Sequence, residues 1–92
     1  MTYTNATVII AAADQAAAQV DFPGSFVSGF SDPSGAVFYV CSGLWADDDL
    51  ASITDGSVAW PSQVYHDEVG AVLARLELTP VVPEPMASRS AP

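Results

Sequence analysis

The stretch "SFVSGFSDPSGAVFYVCSGLW", Ser25 to Trp45, decides the fold. Two β-rich runs flank Asp32-Pro33-Ser34-Gly35. Asp at the first turn position binds its own backbone, Pro at the second presets φ, and Gly at the fourth relieves strain. The spacing therefore predicts a β-hairpin. Phe26, Ser28 and Phe30 are expected on one face of its first strand, with Val27 and Gly29 on the other. "AVFYVCSGLW" is the returning strand, rich in β formers.

Upstream, "YTNATVIIAA" begins with alternation and becomes a β-branched apolar run at Val8, Ile9 and Ile10. It reads as a central strand buried on both faces. "AADQAAAQVDF" follows as a helix, because alanine is the best helix former and Asp14 sits near the positive first turn. Pro23-Gly24 stops it.

Downstream, "ADDDLASITDG" places three aspartates before an apolar pair. Leu50 and Ile53 are spaced i, i+3, Asp47 stands as an N-cap, Asp48 and Asp49 fall in the first turn, and Gly56 occupies C′. "SVAWPSQVY" reads as a loop or a short extended piece. Val69, Val72, Leu73 and Leu76 form a helical stripe within a helix expected from about residue 67 to residue 77. A short strand is expected near residues 79 to 82. The element order is β-α-β-β-α-α-β. It fits a split βαβ, ferredoxin-like α+β sandwich with helices on one face of a small antiparallel sheet.

The 92 residues are read as one α+β domain over residues 1–82 and an extended arm over 83–92. The arm, "PEPMASRSAP", carries too little apolar surface to order itself. Half of the residues are apolar and mean hydropathy is +0.30, yet no apolar run reaches the roughly 18 residues of a membrane span. The N-terminus lacks the basic region of a signal peptide, so synthesis in a cytosol is expected.

Eleven acids face two arginines, for a net charge of −9. Nucleic acid and anionic membranes repel such a chain, which leaves protein surfaces as its partners. Charged residues make up only 14% of the sequence, against roughly 25% in ordinary domains. A surface of Ala, Ser, Thr, Gly and Gln loses little rotamer entropy when covered, which suits a subunit packed into an oligomeric assembly.

Catalytic patterns are weak. An EF-hand loop starting at Asp47 would want ligands where Asp49 and Ala51 stand, a glycine at Ser52 and a glutamate at Val58, and fails at three of the four. Cys41 lies mid-strand, where inert thiols are usual, and His66 adjoins Asp67 and Glu68 at a helix start. No G-x-S-x-G, G-x-G-x-x-G or Walker pattern occurs. Arg75 is the only cation of the domain, so an anionic metabolite has little to hold it. The expectation is a protein that is no enzyme, with no cofactor, no metal and no catalytic residue.

The aromatic residues carry more information. Trp45, Trp60, Tyr65, Phe38 and Tyr39 are too many for one small core. At least one tryptophan is expected on an interface, where aromatic anchors concentrate binding energy. The candidate interface residues are Trp45, Trp60, Tyr65, Val81, Val82, Met86 and Arg89.

The run "NATVIIAAADQAAAQVDFPG", a hairpin carrying "VFYVCSG" and an acidic helix together resemble the small accessory and structural proteins of tailed bacteriophages. The likeness covers the first two thirds of the chain, and it is one of general texture without a diagnostic motif. It implies a virion component or a small host-directed protein. As a virion component the chain is expected to be tail- or capsid-associated, made in the host cytoplasm and in contact with sister subunits or other virion proteins. It transfers no site residue. Two further functions remain: an acidic inhibitor of a host defence or nucleic-acid-binding protein, which the net charge of −9 supports, and a small ligand-binding regulatory module, which rests on fold analogy alone.

Overall fold

A computed structural model describes residues 2–81. Its sheet has five strands, all antiparallel, in the order β4-β1-β3-β2-β5. The elements in chain order are β1 (Tyr3–Ala11), a 3-10 turn (Ala12–Asp14), α1 (Gln15–Asp21), β2 (Ser28–Ser31), β3 (Val37–Ala46), α2 (Asp47–Thr54), β4 (Gln63–Tyr65), α3 (Val69–Leu76) and β5 (Thr79–Pro80). The molecule is thus α+β, with β3 inserted between β1 and β2, and β1 inserted between β3 and β4. These two interlocked units are the split βαβ arrangement.

The hairpin forms as its turn chemistry demands. The Gly35 amide donates to the Asp32 carbonyl at 2.9 Å. One carboxylate oxygen of Asp32 accepts from the Ser34 amide, the Ser34 hydroxyl and the Ala36 amide. Gly35 takes φ +93°, which a side chain would resist. Ser28 then faces Val40 and Phe30 faces Phe38.

β1 is the central strand, and Ala6 to Ile10 are buried without interruption. Its neighbours alternate between two cores. Ala6, Val8 and Ile10 face Ala18 of α1 and Leu50 and Ile53 of α2. Ile9 faces Val40, Val72 of α3 and Leu78 on the opposite side. The helices therefore cover both faces, α1 and α2 one and α3 the other, where the sequence suggested a single covered face. The reason is topological: α3 links β4 to β5 at opposite edges of the sheet, and its apolar stripe crosses the face that α1 and α2 leave bare.

Three further differences have local causes. β4 is a strand because Gln63–Tyr65 finds an open edge at Thr7–Ile9 of β1. Phe26 precedes β2 and is fully buried in the core under α1 and α2, so it does not share a face with Phe30. The bend before β2 is fixed by Gln15 and Gln19, whose amides both donate to the Phe26 carbonyl at 3.0 Å. Asp47 is the first residue of α2, and Ala46 is its N-cap without a side-chain bond. The C-terminus of α2 closes as read: Gly56 has φ +85° and the Ser57 amide reaches back to the Ser52 carbonyl.

Candidate functional site

β1 pairs along its whole length with β3, from Tyr3 opposite Ala46 to Ala11 opposite Phe38. Their outer neighbours are much shorter. β2 reaches only Val37–Val40 of β3, and β4 only Thr7–Ile9 of β1. Tyr3–Ala6 and Gly43–Ala46 consequently project as a two-stranded ribbon with both outer edges unpaired by any described strand.

One face of this ribbon is covered, since Ala6 and Trp45 are buried under α2. The other face is open, because α3 ends over Ile9 and Val40. There Tyr3 is 57% and Leu44 72% exposed, on adjoining cross-strand positions. A groove of ≈ 510 Å³ runs along the free edge of β3, bounded by Phe22, Ser25, Asp48 and Asp49. A second groove of ≈ 320 Å³ lies toward β1, between Asn5, Thr7, Ser42 and the His66-Asp67-Glu68 turn. At its floor Thr7 is 1% exposed.

The rim of this end is acidic. Asp47 fastens the ribbon: its carboxylate accepts from the hydroxyls of Thr2 and Thr4, the latter at 2.7 Å, and its amide donates to the Thr2 carbonyl. The Thr2 hydroxyl, then that of Thr4, holds the Asp47 carboxyl below the usual aspartate value. Asp48 and Asp49 stand over the β3 edge, Asp67 and Glu68 over the β1 side. Arg75 is the only Lys or Arg among the described residues, and its guanidinium is engaged by Asp67 at 2.9 Å.

The sequence-derived candidates are dispersed. Trp45 and Trp60 are core residues, 6% and 3% exposed. Phe22 and Phe26 each pack on both tryptophans, with ring centroids 5.5 to 6.1 Å apart. The Trp60 indole N–H donates to Asp21 at 2.8 Å. Neither ring offers a free surface, because a sheet covered on both faces holds two cores and has room for all five aromatics. Tyr65 is half-buried against the α3 side, its hydroxyl on Gln63. Val81 is 47% exposed beside β2, its amide donating to the Gly29 carbonyl. Val82, Met86 and Arg89 lie outside the described residues.

Cys41 and His66 are not brought together. Cys41 points into the core under α1 and α2, whereas His66 lines the groove on the opposite face. Burial pushes the Cys41 thiol up, against a smaller opposing effect of a Ser25 hydrogen bond. Among the described residues no three His, Cys, Asp or Glu side chains converge on one point, and no helix is long and apolar enough to cross a membrane.

Sequence reasoning passed over Tyr3 and Leu44. One signal was present: "CSGLWA" alternates, so Leu44 must face away from Trp45. What the sequence lacks is the length of β2 and β4, which decides whether Leu44 is covered. Comparison with models of protein families, with curated proteins and with solved structures gave no match.

Proposed function

We propose that this chain is a non-catalytic subunit that takes its place in a larger protein assembly through the projecting end of its sheet. The observation that carries the reading is the β1–β3 ribbon, with Tyr3 and Leu44 exposed on neighbouring cross-strand positions beside two edges that no described strand pairs. Exposed apolar groups grouped in this way serve contacts between proteins. The surface poor in charge lowers the entropic cost of being covered. Resemblance of the sequence to accessory proteins of tailed bacteriophages supports a virion as that assembly. Peptide mass spectrometry of purified particles tests the reading, together with light scattering of the isolated chain. The expected result is the chain at fixed stoichiometry in the particle. Its absence from particles, with a strict monomer in solution, contradicts it.

A second reading has its own support. Asp48 and Asp49 on one side and Asp67 and Glu68 on the other frame the same end, and the net charge is −9. Such a face suits an inhibitor occupying the basic groove of a nucleic-acid-binding protein. Under this reading, partner binding falls steeply with salt and is lost when nucleic acid occupies the partner.

A further inference from the structure

We infer that the free edge of β3, Cys41–Ala46, accepts an extended basic segment of a partner protein as an added β-strand. This rests on the proposed role as an assembly subunit and specifies how the contact is made. The ladder supplies the backbone groups. β2 leaves β3 at Val40, where the chain before Ser28 bends away through Phe26. Past that point, alternate residues of β3 aim their N–H and C=O groups away from β1, with no described strand to meet them. The space beside them is the groove of ≈ 510 Å³ walled by Phe22 and Ser25. Natural sheets usually cover or blunt such an edge, and an uncovered one is a template for strand addition.

The side chains specify the occupant. Leu44 rises on the open face, so a strand laid alongside gains by placing an apolar side chain there. Gly43 leaves open space on the other face, with no atom within 4 Å of where a Cβ would stand, so long side chains of the incoming strand have room to extend there. Asp48 and Asp49 line the same groove, and Lys or Arg on the incoming segment complements them. A second copy of this chain is disfavoured at this edge. Each copy carries −9, and the only described cation, Arg75, is already engaged by Asp67.

The test uses the full chain and a fluorescein-labelled eight-residue peptide alternating Lys or Arg with Val or Thr. Binding is followed by anisotropy, and amide exchange is read residue by residue. Bound peptide is expected to slow outward-facing amides within Cys41–Ala46 about tenfold or more, and to leave Phe38–Val40, already paired on both sides, unchanged. N-methylation along the peptide edge that faces β3 abolishes binding, whereas methylation along its other edge does not. The double variant Asp48→Asn, Asp49→Asn keeps its fold and binds about fivefold more weakly, and an acidic peptide of the same pattern does not bind. No binding, binding without slowing at Cys41–Ala46, or equal binding by both methylated peptides overturns the inference. If the chain still enters its assembly through Tyr3 and Leu44 after such a result, the proposed function stands without it. If the chain joins no assembly, both fall.

Discussion

Asp47 shows how far single residues can be read. Three aspartates ahead of Leu50 and Ile53 specify the start of a helix, and α2 begins there. Which of them does what depends on a strand more than forty residues away, since Thr2 and Thr4 claim the first carboxylate. Asp47→Ala should therefore loosen the start of β1 and leave α2 in place. Amide exchange is expected to speed up at Tyr3 and Thr4 with little change at Leu50 and Ile53; the reverse pattern would restore a capping role. Asp32, Asp47 and Asp55 all have carboxyls held below 3.8, chiefly by hydroxyls of Ser34, Thr2 and Ser57 respectively. A folded-state value below the unfolded one adds stability that is present above pH 3.8 and lost as pH falls through the folded values. Thermal midpoints should drop in that acid range, and Asp32→Asn should reduce the drop. Glu77 ends α3 at φ +58°, where it also sets a negative charge at the negative end of the helix. Glu77→Gly should raise stability by about 0.5–1 kcal/mol in urea unfolding, after the added freedom of the unfolded glycine is subtracted.

Elements were legible where local chemistry settles them. The hairpin, the α2 C-terminus and the stripe of α3 all follow from short-range rules of turn geometry and periodicity. Phe26 was misplaced because its alternation with Ser28 and Phe30 is cut by the glutamine-held bend, and a bend held from a neighbouring helix leaves no periodic signal. The consequence is measurable. Phe26 is 0% exposed among Trp45 and Trp60, so Phe26→Ala should cost about 3–5 kcal/mol. Val27, 65% exposed on the same bend, should tolerate Val27→Ala within about 0.5 kcal/mol. Comparable losses at both positions in chemical denaturation would contradict a core residue at Phe26.

At the scale of the whole molecule, the order of elements was enough to infer a split βαβ sheet. It did not reveal that α3 crosses the second face, because the sequence does not state which face a crossover takes. The candidate site was less legible still. Both tryptophans carried the expected interface energy into the core instead, and the exposed pair Tyr3 and Leu44 emerges only from strand lengths. In the proposed function the open ribbon is the working surface of the chain. Hydroxyl-radical footprinting of the chain inside the proposed assembly, compared with the free chain, tests this most directly. Tyr3 and Leu44 should lose reactivity several-fold on assembly, while Val20, 79% exposed on α1, keeps its own. Unchanged labelling of Tyr3 and Leu44, with Val20 protected instead, would place the contact on the other side of the molecule and contradict the account.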